Sequence, residues 1–116
     1  MPDYNILDEF FIWYQGEQDA NSEAQANAYS ANLAGLDNRF ERDCLAYTSF
    51  FNFITVRISN LIAPVYVPTV RAAQEQYNFV NVDDLELGDD GLHFVSAAQN
   101  TMAERFFAKI KAKIPN

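Results

Sequence analysis

The fold class of this 116-residue chain is set by one short apolar stretch, Phe10-Phe11-Ile12-Trp13-Tyr14. Five consecutive apolar residues are too few for a helix, and they fit a strand that is buried on both faces, as in a parallel sheet. The stretch ends in a polar loop that runs from Gln15 to Asn21 and contains a glycine. The sequence therefore predicts a buried first strand whose carboxyl end opens into a surface loop.

The segment after this loop has the pattern of an amphipathic helix. Ser22 and Gln25 have the spacing of a capping box, in which Ser22 is the N-cap and Gln25 reaches back from position N3. Beyond them, apolar residues recur at steps of three and four, at Ala26, Tyr29, Leu33, Leu36 and Phe40. We expect a helix that ends near residues 39–43.

Two more strands and a short helix are predicted in the middle of the chain. Residues 50–58 and residues 79–82 are rich in aromatic and β-branched side chains, which favour strands. Between them, residues 69–77 carry an apolar helical face, and Pro68 fits the first turn of that helix.

A closing helix completes the alternation of strands and helices. Ser96 and Gln99 repeat the capping-box spacing, and Pro115 ends the helical pattern. The order β-α-β-α-β-α over residues 1–116 predicts a single α/β domain, with a parallel sheet of about three strands flanked by helices through right-handed crossovers.

The composition excludes several classes of partner. With 16 acidic and 8 basic residues the net charge is −8, which disfavours binding to nucleic acids and to anionic membranes. Cys44 is the single cysteine, so neither an internal disulfide nor a cysteine-histidine zinc cluster is expected. Residues 1–4 lack the pattern of a signal peptide, and no apolar run is long enough to span a bilayer. We expect a soluble chain of unknown location.

Two polar motifs follow the first and third predicted strands. In open parallel sheets ligands bind outside the carboxyl ends of the strands, so we expect both motifs at one edge of the domain. In the second motif Asp90 precedes His93, the only histidine, by three residues, and such a pair can act as a base and the group that orients it. In the first motif the Gln15 amide can donate to an oxyanion, and Gly16 can bring its backbone N–H close to a substrate. From composition alone, the favoured interpretation is that Gln15 and Glu17 are ordinary polar loop residues and that Gly16 only serves the turn.

The two motifs resemble conserved blocks of SGNH hydrolases of the sialate O-acetylesterase and acetylxylan esterase type. Residues 13–20 resemble the family's W-x-Q-G-E-x-D-A block, and residues 70–74, 82–85 and 89–94 resemble its last βαβα segment in the same order. The resemblance covers residues 10–107 and implies a flavodoxin-like, three-layer α/β/α fold of which this chain holds the C-terminal half.

The resemblance also implies an activity, the hydrolysis of an acetylated carbohydrate or another small ester without metal or cofactor. In this chain His93 would be the general base, Asp90 its orienting partner and Gln15 an oxyanion-hole donor. Gly16, Glu17 and Asp19 would shape the substrate-binding loop or contact the substrate. Trp13 and Tyr14 are expected as core residues beneath the site.

The chain departs from this family at the nucleophile. The family's serine lies in a G-x-S block that precedes the motif at residues 13–20, and here the fourteen residues before Gln15 contain no serine. Hydrolysis would then need another chain or a cryptic serine. The alternatives are a non-catalytic esterase remnant that oligomerises or binds a glycan, and an acidic protein-interaction factor.

The absent half has a structural consequence for the first strand. In the full family fold this strand is central, whereas here it becomes an exposed edge, and a flat apolar edge invites pairing with another chain. We therefore expect a homodimer or higher oligomer formed through the first strand, or a separate chain that supplies the missing strands.

Overall fold

The computed structural model describes residues 6–114, which form a three-stranded parallel sheet with helices on both faces. The strands are β1 (Asp8–Trp13), β2 (Phe50–Arg57) and β3 (Asn78–Asn81), and they lie in this order across the sheet. The helices are α1 (Glu23–Cys44), α2 (Val67–Gln74) and α3 (Ser96–Lys113), and a short 3-10 turn covers Asp19–Asn21. The predicted α/β class and the truncated, flavodoxin-like parallel sheet are confirmed.

The sheet has a continuous register that places apolar residues side by side. Ile12 pairs with Ile54 between β1 and β2, and Val56 pairs with Val80 between β2 and β3. Since directly paired residues share a face, the buried β-branched side chains of β2 and β3 form one apolar surface.

Helices cover the two faces of the sheet unequally. On one face α1 and α2 bury residues such as Tyr29, Leu33 and Val70 together with Phe53 of β2. On the other face α3 is the only one of the three helices, and it packs against β2 and β3. From β1, only the partly buried Phe10 packs against this second cluster. None of the described helices is both long enough and apolar enough to cross a membrane.

The prediction that the first strand is buried on both faces is wrong for this chain. Phe11 and Trp13 pack into the core beneath α1, but Ile12 is 43% exposed and Tyr14 is 39% exposed on the opposite face. The reason is that α3 covers β2 and β3 and does not extend over the middle of β1.

The capping box before α1 is confirmed. Ser22 Oγ accepts a hydrogen bond from the backbone N–H of Gln25 at 3.2 Å, and the hydroxyl also contacts the Gln25 side chain. The helix continues to Cys44, one residue beyond the predicted range. The Ser22 side chain thus supplies a hydrogen-bond acceptor at the N-terminus of α1, and this fixes where the loop after β1 ends.

The capping box predicted at Ser96 is wrong. Val95 is the N-cap and Ser96 is already helical, with no side-chain cap. The backbone N–H of Val95 donates to the carbonyl of Glu86 at 3.2 Å, and this bond fixes the helix start one residue earlier. Gln99 donates instead to the carbonyl of Phe94 at 2.9 Å. The middle elements also shift slightly, since α2 begins at Val67, with Pro68 in its first turn.

Candidate functional site

The two polar motifs line one cavity at the carboxyl ends of the strands. The cavity has a volume of about 790 Å³. Gln15 and Glu17, from the loop after β1, lie on one side, and Asp90 and His93, from the loop before α3, lie on another. The topology thus brings together side chains that are more than seventy positions apart in the sequence.

Asp90 and His93 form a close hydrogen-bonded pair. His93 Nδ1 lies 2.6 Å from Asp90 Oδ2. The other carboxylate oxygen, Asp90 Oδ1, accepts the backbone N–H groups of Leu92 and His93, each at 2.9 Å. Because an ionised carboxylate can only accept, Nδ1 carries the proton of the neutral imidazole, and Nε2 is left as the acceptor of that ring.

The same contacts determine how the pair titrates. The hydrogen bond from His93, followed by the two backbone N–H groups, lowers the pKa of Asp90 to about 2. In turn, the hydrogen bond to Asp90 and then its negative charge raise the pKa of His93, and Glu17 adds a smaller effect in the same direction. The pair therefore favours a charged carboxylate at all moderate pH values and stabilises a protonated imidazole.

A tight turn presents this pair to the cavity. Leu87 and Phe94 form an isolated antiparallel bridge, and the N–H of Gly88 donates to the carbonyl of His93 at 2.7 Å. Gly91, at the tip, has a φ of 67°, a left-handed conformation that favours glycine. The His93 side chain is 78% exposed, so the imidazole lies at the open mouth of the cavity.

Gln15 is held through both its side chain and its backbone. Its amide nitrogen Nε2 donates to Asp19 Oδ2. Its backbone carbonyl accepts from the Tyr29 hydroxyl and from Gln74 Nε2, each at 2.9 Å. An amide nitrogen has two N–H groups, and one of these orients the side chain through Asp19.

Gln74 is a structural residue of the site that sequence reasoning missed. Its side chain is fully buried, and besides Gln15 it bonds to the Tyr29 hydroxyl at 3.1 Å and accepts the N–H of Ile58 at 2.8 Å. It therefore ties together the ends of β1 and β2. A glutamine on a short helix carries no signal of this role, because all three partners are distant in the sequence.

Gly16 and Asp19, two of the predicted substrate-binding residues, are not among the residues that line the cavity. Gly16 is buried with a φ of 139°, and a Cβ placed there would lie 2.9 Å from Gln74 Nε2. The Asp19 carboxylate accepts a hydrogen bond from the Gln15 side-chain amide. Glu17 lines the cavity directly.

Tyr14 also lines the cavity, which corrects its predicted place in the core. Its ring packs at a tilt against Phe94 with 6.1 Å between the centroids. Partial burial, followed by the negative charge of Glu17, raises the pKa of the Tyr14 hydroxyl. Trp13, by contrast, packs against the core beneath α1 as expected.

One side of the cavity is an apolar wall, which the sequence analysis did not predict. It consists of residues 62–65, from the loop between β2 and α2, together with Leu92. Val65 is 81% exposed, whereas Ile62 is buried. Nothing local in the sequence of this loop predicts that it faces the two polar motifs.

Serine is absent from the described residues that line the cavity. Ser22 caps α1, and Ser59 is 2% exposed with its hydroxyl accepting the N–H of Leu61 at 3.1 Å. The cavity therefore combines a histidine-carboxylate pair with amide groups and has no hydroxyl nucleophile of the serine type.

Comparisons with known proteins identify the family of this chain. The family model described as carbohydrate esterase, sialic acid-specific acetylesterase matches residues 9–112. None of the curated proteins matches the chain. A protein from Arabidopsis thaliana, with an X-ray structure at 1.6 Å resolution, superposes with a TM-score of 0.78 and 25% identity over 90% of this chain. The chain spans 44% of that structure. With the family model matching nearly its whole length, the chain belongs to the sialic acid-specific acetylesterase family of carbohydrate esterases.

Proposed function

We propose that this chain binds an acetylated carbohydrate or another small ester in the cavity and supplies the base for its hydrolysis. One observation carries the proposal, the 2.6 Å contact between Asp90 Oδ2 and His93 Nδ1. It leaves the basic nitrogen Nε2 of an exposed imidazole at the mouth of a cavity large enough for a small ester. Membership of an esterase family supports this choice of substrate class.

In this proposal His93 takes and returns a proton in each of two steps. As a hydroxyl attacks the ester carbonyl, Nε2 takes the hydroxyl proton, and Asp90 stabilises the imidazolium that forms. The proton then passes to the leaving alkoxide as the bond between the carbonyl carbon and the alcohol oxygen breaks, which leaves the acyl group on the attacking oxygen. Water, which gives a proton to Nε2 in the same way, then attacks this new ester, and the proton returns to the attacking oxygen as the free acid leaves. The Gln15 N–H that does not bond Asp19 donates to the oxyanion, a contact whose loss typically costs about 10²–10³ in rate.

The two sides of the cavity suit the two parts of such a substrate. Glu17, Gln18 and Asn21 provide polar groups for sugar hydroxyls. Residues 62–65 and Leu92 provide an apolar surface for the acyl group or for one face of the sugar ring. Gly16 and Asp19 act by shaping the loop after β1, which carries Gln15 and Glu17.

The attacking hydroxyl is proposed to come from outside these 116 residues. The support is that all five serines of the chain fall within the described residues and none of them lines the cavity. The same observation favours a second candidate function, in which the cavity binds an acetylated glycan without cleaving it.

Two measurements on the full chain test the proposal. Titration with xylose tetraacetate, followed by ¹⁵N NMR, is expected to shift the amide signals of Gln15, Leu92 and His93, and His93→Ala should weaken this binding. Shifts confined to other regions, or no shifts at millimolar ligand, would contradict an ester site here.

A serine-reactive fluorophosphonate addresses the nucleophile, with intact-mass and peptide-mass detection. We expect no stoichiometric adduct on the chain alone. A stoichiometric adduct on one serine would show that the chain holds its own nucleophile, and would overturn both the external hydroxyl and the binding-only function.

A further inference from the structure

Tyr14 connects the two loops that carry the polar motifs. It directly precedes Gln15, and its ring packs at 37° to the ring of Phe94, with 6.1 Å between the centroids. Phe94 in turn directly follows His93. The Tyr14 ring therefore lies where the two loops meet, and it lines the cavity that both of them form.

The packing around Tyr14 gives its ring a fixed place in the cavity wall. Side chains alternate along a strand, so Trp13 packs into the core beneath α1 and Tyr14 faces the other side of the sheet. There the ring rests on Phe94, which is only 6% exposed and belongs to the cluster around α3. A buried aromatic side chain thus supports Tyr14, and the Tyr14 ring presents an apolar surface to the cavity.

Polar groups lie beside this apolar surface. Partial burial, followed by the negative charge of Glu17, holds the pKa of the Tyr14 hydroxyl above its ordinary value, so the hydroxyl stays neutral at moderate pH. A neutral phenol can both donate and accept hydrogen bonds, and an ionised carboxylate can accept them. Tyr14 and Glu17 therefore combine an aromatic surface with groups that can bond hydroxyls.

A sugar ring has the chemistry that matches this combination. Its C–H groups form an apolar face, and its hydroxyls project around the rim. An acetyl group has no hydroxyls and would leave the polar groups beside Tyr14 unused. Since a few placed polar groups on an apolar lining usually decide which ligand a pocket selects, the surroundings of Tyr14 favour the sugar part of an ester over its acyl part.

We propose that Tyr14 is a specificity-determining residue whose ring stacks on the sugar ring that carries the ester. This inference rests on the proposed function, because it names the part of the ester that lies on this side of the cavity. It predicts that the cavity distinguishes a sugar ester from an open-chain ester that has the same acyl group and also has free hydroxyls.

Affinities for two matched ligands test the proposal on the full chain. A monoacetylated methyl xyloside has an acetyl ester, free hydroxyls and a ring, whereas glycerol monoacetate has the ester and the hydroxyls without the ring. Amide NMR titration gives the Kd of each, and the wild type should bind the xyloside more tightly. Tyr14→Leu should weaken the xyloside by about three- to tenfold, as expected for the loss of one aromatic contact. It should change the Kd of glycerol monoacetate by less than about twofold.

Two further variants separate the ring from other effects. Tyr14→Phe keeps the ring and removes the hydroxyl, so it should retain the preference for the xyloside. Tyr47→Leu, at an aromatic residue that is 82% exposed and does not line the cavity, is the control and should bind both ligands as the wild type does.

The outcomes distinguish this inference from the proposed function. A wild-type chain that binds the two ligands equally, or a Tyr14→Leu variant that weakens both alike, would overturn the role of Tyr14 and leave the ester site in place. A wild-type chain that binds neither ligand would overturn the ester site together with this inference.

Discussion

Gln74 Nε2 donates a hydrogen bond of 2.9 Å to the backbone carbonyl of Gln15, a residue 59 positions earlier in the chain. Gln74 Nε2 also donates to the Tyr29 hydroxyl, and Gln74 Oε1 accepts the N–H of Ile58, so the three bonds hold the loop after β1 in place. The loop that holds the proposed oxyanion donor is therefore positioned by a fully buried amide on α2.

Replacement of this amide is expected to destabilise the protein. Gln74→Leu keeps a similar volume but leaves the Ile58 N–H buried without a partner, and it removes one of the two hydrogen bonds that the Gln15 carbonyl accepts. Together these losses should lower the free energy of unfolding by about 2–4 kcal/mol. Urea denaturation measures the change. Gln76→Leu, at an exposed position two residues further on, is the control and should change stability by less than about 0.5 kcal/mol. Equal effects of the two substitutions would contradict the role assigned to Gln74.

Two glycines should respond to alanine with opposite signs. At Gly16 the φ of 139° and the contact with Gln74 predict that Gly16→Ala destabilises the fold by about 1–3 kcal/mol. Gly35 lies within α1 with open space around it, so Gly35→Ala should stabilise by about 0.5–1 kcal/mol. Thermal unfolding of the two variants beside the wild type provides the comparison, and a stable Gly16→Ala would show that the loop relaxes without cost.

The elements of this fold could be predicted because their signals are local. The capping box at Ser22, the helical stripe behind it and the β-rich run at residues 50–58 each depend on neighbouring positions. Where a local signal competed with tertiary contacts, the contacts decided the outcome. Ser96 is not the N-cap of α3 because the N–H of Val95 bonds to Glu86, and Tyr14 is partly exposed because α3 does not extend over the middle of β1.

The candidate site was predictable only in part, for the same reason. The placement of Gln15 and His93 at one edge followed from the alternation of strands and helices. The buried bonds of Gln74 and the apolar wall at residues 62–65 join segments that are far apart in the sequence. Neither has a periodicity or motif of its own, so only the folded arrangement identifies them.

The titration of His93 should depend on Asp90. The hydrogen bond and charge of Asp90 stabilise the imidazolium, so Asp90→Asn is expected to lower the pKa of His93. NMR titration measures this directly, because His93 is the only histidine. Asp89→Asn removes the same charge from the adjacent position, where no hydrogen bond to His93 exists among the described contacts, and should produce a smaller decrease. If both variants lowered the pKa equally, general charge rather than the paired geometry would be responsible.

Asp83 should give the protein an acid-sensitive link between α2 and the loop that forms the apolar wall. Arg71 donates to both carboxylate oxygens, at 2.7 and 2.8 Å, and the N–H of Asn60 donates to one of them at 3.1 Å. The bond from Arg71 is the main cause that lowers the pKa of Asp83 below its ordinary value. A carboxyl with a lowered pKa stabilises the fold above its unfolded pKa of about 3.9, and this stabilisation is lost as the pH falls through the folded pKa.

Asp83→Asn should therefore destabilise the protein by about 1–3 kcal/mol at neutral pH, and the difference from the wild type should shrink as the pH falls from about 5 towards 2. Urea denaturation at a series of pH values measures this difference. Asp43→Asn is the control, because Asp43 is 60% exposed and, within residues 6–114, pairs only with the adjacent Arg42. A difference that stays constant down to low pH would mean that the Asp83 contacts act through packing, since protonation would then leave the loop as firmly held as before.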